Sequence, residues 1–340
     1  MNISVFITSY NQKAYLREAI DSVLAQTLPP GQIIIVDDDS SDGSQDLIEG
    51  YCSRYPDLIT SIFHDQNRGV ARVRVTALEA VSGDYVTYLD GDDRYLPEKL
   101  EKEAALLQGR SDIQIAYSNN YYMTAGGRRY ATWVTTKAPP QEDVFLEVLT
   151  RRFPRGNPFR MELLPYKLWQ AVGFHDTDLN VLEDWEMRIR LSKHYRVAYC
   201  DEPLSEIRVH TGGLSNVPVG EKLRAFEAIW EKYEPLIMEM NSGMQKIVIE
   251  EMKRLRAGFI RQQAKELLGS YGQAPRGDKK QAWDCYKESW RYHPYLDLDL
   301  LLGLALPTEL YLPIRSTMRR YFGQGDGRFN QHIQPQDRSG

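Results

Sequence analysis

Thiol chemistry is scarce in this chain: three cysteines in 340 residues, Cys52, Cys200 and Cys285, far apart and odd in number. With no CxxC pair, neither a zinc site nor a disulfide framework is indicated, and a reducing cytoplasm is the default compartment. Long hydrophobic runs are missing too. The longest, LDLDLLLGLALP from Leu296 to Pro307, holds two aspartates and ends at a proline. It falls well short of the ~20 apolar residues that a membrane-spanning helix needs. The opening MNISVFITSYNQ is too short and polar for a signal peptide. Nor is there an excess of positive charge: 42 Lys and Arg stand against 47 Asp and Glu, a formal net charge of -5. That balance argues against nucleic acid as a partner, while an anionic ligand held through a bound cation stays open. What remains is the composition of a soluble globular protein, 42% hydrophobic and 26% charged, long enough for two domains.

Residues 1 to about 110 alternate strand and helix signals. ISVFITSY, QIIIVDDDS, LITSIFHD and YVTYL read as strands. AYLREAIDSVLAQ, SQDLIEGYCSRY and VARVRVTALEAVS read as the helices between them, the first with Leu16, Ile20, Val23 and Leu24 at helical spacing. Such alternation predicts an α/β fold with a parallel sheet covered on both faces and ligands at the carboxyl ends of its strands. Thr8 to Asn11, Asp37 to Asp39 and Asp90 to Asp93 all fall at such ends.

From 111 to about 215 the pattern is less regular. IQIAYSNNYYMT and RRYATWVTT predict a hairpin, DVFLEVLTRRF and DWEMRIRLSKHY helices, and YRVAYCDEPLSEIRVH one or two strands. Beyond about 220 helices take over. MQKIVIEEMKRLRAGFIRQQAKELL has one apolar face, and AKELLGSYGQAPRGDKKQAWDCYKESWRYHP reads as a single tetratricopeptide-like hairpin. The expected division is a domain over 1–215, with halves 1–110 and 111–215, a helical region over 216–322, and a disordered tail over 323–340.

Six motifs carry candidate chemistry, and each has a plainer structural reading beside it. In TSYN, Thr8 and Asn11 suit the capping of the next helix. VDDDSSDGS ends in turn residues, yet three aspartates at the end of a buried strand repel one another, and one of them reading a base or ribose is physically sensible. NRGVARVRV sets Arg72 and Arg74 at a helix start, against the dipole, where they serve a ligand or a neighbouring acid. In VTYLDGDDRYLP, Asp90, Asp92 and Asp93 form either a solvated turn or a site for a hard cation that shares phosphate oxygens. LEDWEMRIR opens a helix with Glu183 and Asp184, as caps or as a general base. IRVHTGGLS puts His210 between a strand and a Gly pair.

In this order the motifs closely resemble the family 2 glycosyltransferases, over residues 1 to about 215. The resemblance implies a GT-A fold, a Rossmann-like mixed sheet flanked by helices, followed here by an α-helical C-terminal region. It implies that Thr8 and Tyr10 line the nucleotide pocket, that Asp38 contacts the base and that Arg74 lies near the diphosphate. Asp92 then contacts a divalent metal, Mn2+ or Mg2+, joined by His210, while Asp90 and Asp93 hold the donor sugar or ribose. Asp184 becomes the base, with Glu183 and Trp185 on the acceptor side. Val75 stands where the family usually has Asn, and Asp39 where it often has Gly.

The implied reaction is inverting transfer of a sugar from a nucleotide-diphospho-sugar, UDP by preference, to a hydroxyl of a glycan or lipid-linked glycan in cell-surface polysaccharide synthesis. A carboxylate takes the acceptor proton and a cation offsets the charge of the leaving diphosphate. Two rival readings are a sugar nucleotidyltransferase and a catalytically silent binding or scaffold protein. The first expects a Gly-rich basic loop that TSYNQKAY does not provide; the second has no chemical need of Asp92, Asp184 and His210 together. The expected location is cytoplasmic. Peripheral contact with the inner membrane face would run through RSTMRRYF at 315–322, whose plainer reading is a solvated helix end. The oligomeric state is left open.

Overall fold

The computed structural model describes residues 1–213, 217–268 and 279–305. The chain divides into two units, Met1–Thr211 and a second that begins at Gly212. The expected tail over 323–340 and the arginine-rich segment 315–322 lie outside the described residues.

The first unit opens with β1 (Ile3–Ser9), α1 (Lys13–Leu24), β2 (Gln32–Asp37), α2 (Ser44–Arg54), β3 (Ile59–Phe63), α3 (Val70–Glu79) and β4 (Tyr85–Asp90). All seven residues of β1 are buried, as a strand covered on both faces requires. Two-residue β5 (Arg94–Tyr95) and α4 (Lys99–Leu107) follow. Next come β6 (Ile115–Thr124), β7 (Arg129–Thr132), α5 (Phe145–Leu149), β8 (Leu164–Pro165), α6 (Tyr166–Val172), α7 (Glu183–His194) and β9 (Val197–Val209).

The strands form two sheets, ordered β3-β2-β1-β4-β8 and β5-β9-β6-β7. β1 to β4 run parallel, as the alternation predicts. The sheet is nonetheless mixed, because β8 returns antiparallel along β4. Its Pro165 sits at the sheet edge, where a missing N–H is tolerated. In the second sheet β6 and β7 make the expected hairpin, and YRVAYCDEPLSEIRVH supplies one long strand, β9, parallel to β6. Two registers matter for the site: Thr8 lies beside Asp90, and Ser9 beside Asp37.

The second unit holds α8 (Val219–Met238), α9 (Ser242–Leu267), α10 (Lys279–Tyr292) and α11 (Leu298–Ala305). Asn241 caps α9 by accepting from the Met244 N–H at 3.0 Å. α9 lays Phe259 against Phe226 of α8, and Ala264 and Leu268 against Ala282, Tyr286 and Leu300. Small residues facing an aromatic let α9 and α10 approach closely, the packing expected of one helical hairpin; its loop, 269–278, lies outside the described residues. Among the described residues no helix is long and apolar enough to cross a membrane.

Candidate active site

The register that sets Thr8 beside Asp90 lets the Thr8 hydroxyl donate to Asp90 Oδ1 at 3.0 Å. The same oxygen accepts from Arg74 Nη2 at 3.0 Å, while Arg74 Nη1 donates to Glu183 Oε1 at 2.8 Å. Arg74 is buried on α3 with its guanidinium over the Tyr88 ring, 4.8 Å from the centroid. A cation at a helix start is unfavourable by itself. Here two carboxylates from elements 109 and 16 residues away compensate it. One side chain thus joins the acidic end of β4 to the acidic start of α7.

α7 starts abruptly, because Leu182 takes the left-handed conformation (φ 63°) that leucine rarely adopts. Glu183, Asp184 and Glu186 then fill its first turn, where the helix dipole favours negative charge. The two leading acids differ in access: the side chain of Glu183 is 6% exposed and that of Asp184 29%. Asp184 Oδ2 accepts from Arg188 Nη1 at 2.6 Å. Arg188 is itself gripped by buried Glu162 through two bonds of 3.0 Å, and donates to the Tyr88 hydroxyl oxygen at 2.6 Å. Burial works to raise both acids. At Asp184 the guanidinium groups of Arg188, Arg74 and Arg160 outweigh it and hold the carboxyl well below the usual range. At Glu183 burial prevails over Arg74, with the neighbouring charge of Asp184 adding to it, and the carboxyl is pushed up. The more accessible of the two is therefore also the more acidic.

His210 Nε2 lies 2.7 Å from Asp92 Oδ2, with Tyr15 beside the imidazole at 5.0 Å between ring centroids. Arg208 fixes this corner from the backbone side: its N–H donates to Asp93 Oδ1 at 2.7 Å, and its Nε donates to the Asp92 carbonyl at 2.8 Å. Burial, then the charges of Asp92 and Asp90, push the Asp93 carboxyl up. A cation would relieve that repulsion. Among the described residues no group of three or more ligating side chains converges. Asp92 and His210 are the residues that would hold a divalent ion here, and such ions are commonly bound by few side chains together with phosphate and water.

At the carboxyl end of β1, Tyr10 is half exposed. Asp38, expected to contact the base, is 2% exposed with both oxygens engaged. Asp38 Oδ1 lies 2.6 Å from His64 Nδ1, and Oδ2 accepts from the Gly69 N–H at 2.8 Å. The Arg68 N–H points at both oxygens, at 2.9 and 3.1 Å. Asp38 thereby braces the turn that leads into α3. Asp37 is likewise occupied, by the hydroxyls of Ser9 and Ser40, each at 2.7 Å. These donors satisfy the carboxylates of Asp37 and Asp38. Asp39 takes a left-handed φ of 65°, which explains why Gly suits the position and why Asp is tolerated there.

Trp185 needs a correction. Its side chain is in the core, 1% exposed, and its indole N–H donates to the Val148 carbonyl at 2.7 Å. It fastens α7 to α5 and does not line an acceptor surface, because the helix phase turns position 185 inward. Trp185→Phe is expected to cost about 1–3 kcal/mol through the lost indole bond and the space a smaller ring leaves, since the Val148 carbonyl keeps the Arg151 N–H at 3.1 Å, leaving transfer intact in folded protein. Paired melts and assays check this; lost transfer at unchanged stability would restore the acceptor role.

Sequence reasoning missed Glu162, Arg188 and His64. LEDWEMRIR did contain a signal for Arg188, an Arg four residues after Asp184 and on the same helix face. Nothing local marks Glu162, which meets Arg188 from 26 residues away.

With the geometry assembled, the comparisons are decisive about family. A model of glycosyl transferase family 2 matches residues 4–177. The chain belongs to that family. This family 2 glycosyltransferase is 28% identical over 242 residues to an uncharacterized glycosyltransferase of Rickettsia typhi, covering 68% of this chain and 71% of that one. It is 38% identical over 109 residues to TuaG of Bacillus subtilis, a glycosyltransferase named for teichuronic acid biosynthesis, covering 32% of this chain and 43% of that one. Among solved structures, residues 1–349 of S. aureus TarS in complex with UDP-GlcNAc superpose with a TM-score of 0.60 at 17% identity, covering 94% of this chain and 92% of that one. A mannosyltransferase of Pyrobaculum calidifontis with GDP-Man and Mn2+ gives 0.55 at 15% identity, covering 95% and 88%. At such identities the likeness speaks for the fold, which is GT-A with a helical C-terminal region.

Proposed function

We propose that this glycosyltransferase moves a sugar with inversion from a nucleotide-diphospho-sugar, UDP-linked by preference, to a hydroxyl of a glycan or lipid-linked glycan in cell-surface polysaccharide synthesis. The observation that carries the reading is the double bridge of Arg74, which brings the donor-side Asp90 and the acceptor-side Glu183–Asp184 pair together. Asp184, ionised and partly exposed, takes the proton of the attacking hydroxyl, while Arg188 holds its second oxygen in place. Asp92 and His210 would hold Mn2+ or Mg2+, which when bound offsets charge on the diphosphate. Thr8 and Arg74 keep Asp90 oriented at the sheet end, and Tyr10 offers an exposed ring to the nucleotide. All these residues lie within 1–211, which we take as the catalytic domain, with the helical region as a separate element. A cytoplasmic place, with peripheral contact at the inner membrane face, fits a lipid-linked acceptor. The names of TuaG and TarS's complex with UDP-GlcNAc support the polysaccharide and UDP parts of the reading.

The test is a panel of nucleotide sugars with Mn2+ or Mg2+, scored by thermal stabilisation and by slow donor hydrolysis. A true donor at a hundred times its Kd should add about 2.7 kcal/mol of stability. A chelator, or Asp92→Ala, should remove most of it. Stabilisation that survives chelation rejects the metal assignment.

A further inference from the structure

Residues 157–164 are buried except at Arg160. Phe159 stacks on Tyr117 at 4.6 Å and Glu162 grips Arg188, so the backbone that presents Arg160 is held on both sides. Arg74 and Arg188 are each matched to carboxylates. Arg160 differs: among the described residues its guanidinium makes no hydrogen bond and no ion pair. Its electrostatic neighbours are Tyr122, Asp184, Tyr88 and Asp93, so it acts within electrostatic reach of the base and of the acidic cluster.

Two more donors nearby lack an acceptor. Arg151 donates Nε to the Gly156 carbonyl at 2.9 Å and Nη2 to Asn157 Oδ1 at 2.7 Å, with its guanidinium over Trp185. Its Nη1 and the Asn157 amide nitrogen are buried without a partner. Arg151 also lies within the field of Arg160 and Asp184, and burial pulls its guanidinium pKa down to about 10. Every unmet group in this set is a donor. A sugar hydroxyl offers a donor and an acceptor together, whereas a phosphate or carboxylate only accepts, and takes paired guanidinium N–H groups well.

We propose that Arg160, supported by Arg151 and Asn157, forms an oxyanion subsite beside the base, so that the acceptor carries a phosphate or carboxylate close to the hydroxyl that attacks. The inference rests on the acceptor-side role given to Asp184.

The test is calorimetric titration of full-length protein saturated with UDP and Mn2+. The acidic probes are α-glycerophosphate and glucuronate; glycerol and glucose are their neutral controls. The wild type should bind at least one acidic probe and neither control. Arg160→Gln should weaken that binding by about tenfold or more, and Arg160→Lys by less, since a point charge keeps the attraction and loses the fork. UDP itself, titrated separately, should bind both variants within about twofold of wild type. Circular dichroism and melting confirm that the variants fold. No acidic probe bound by wild type, equal binding by Arg160→Gln, or neutral probes bound as well as acidic ones each overturn the proposal. So does a loss that appears in UDP affinity instead, which would assign these donors to the donor diphosphate. UDP failing to bind wild type, with acidic probes still bound through Arg160, would sink the donor reading and support the subsite.

Discussion

Asp184→Asn is expected to lower sugar transfer by about 100- to 10,000-fold, the range for loss of a positioned general base. Nucleotide-sugar affinity should stay within about twofold of wild type. The substitution keeps shape: the amide oxygen can still accept from Arg188 Nη1, whose guanidinium is anchored independently by Glu162 and Tyr88. What is removed is the basicity and the negative charge that faces Arg188, Arg74 and Arg160. The loss should fall on kcat and leave KM for the donor alone. Glu183→Gln should behave differently, because that carboxylate is enclosed and serves Arg74. Its removal unbalances Arg74 and disturbs Asp90 through the shared guanidinium, so donor affinity should fall as well. Turnover that survives Asp184→Asn would move the base to Glu183.

Lys99→Met should destabilise the fold by about 3–5 kcal/mol, the usual penalty for stripping one partner from a buried ion pair. Lys99 and Glu103 are fully buried on α4, with Nζ 2.5 Å from Oε2. Burial lowers the lysine and raises the glutamate, so neither tolerates the loss of the other. Lys99 has a second task. It donates to the Met161 carbonyl at 2.8 Å, which also accepts from the Thr87 hydroxyl at 2.9 Å. Met161 has a left-handed φ of 53°, and these two bonds hold it between Arg160 and Glu162. Urea unfolding measures the loss, and Lys99→Met with Glu103→Leu should recover most of it, since an apolar pair leaves no charge stranded. A loss under about 1 kcal/mol for the single change would mean that water reaches Glu103.

The fold's first half was legible because its strands and helices announce themselves by periodicity. ISVFITSY has an apolar centre in Val5, Phe6 and Ile7, as suits a strand buried on both faces. The two-residue strands β5 and β8 have no such signature, and β8 is what makes the sheet mixed. The site residues were legible as an ordered set of motifs, but their duties were not. VDDDSSDGS shows three acids; it does not show that Ser9, Ser40, His64 and the Gly69 N–H engage the oxygens of two of them.

By itself, then, the chain's order of residues determined the alternating α/β half, the family, and which carboxylates cluster at strand ends and at a helix start. Periodicity and motif spacing are local, and local patterns survive in one dimension. Tertiary structure alone decided which acids are free to act. Asp38 is enclosed, Trp185 is core, Asp184 is partly open, and Arg160 makes no direct ion pair among the described residues. Charge state and access depend on groups brought together from more than a hundred residues apart, 109 for Arg74 and Glu183, and only the folded chain sets those distances.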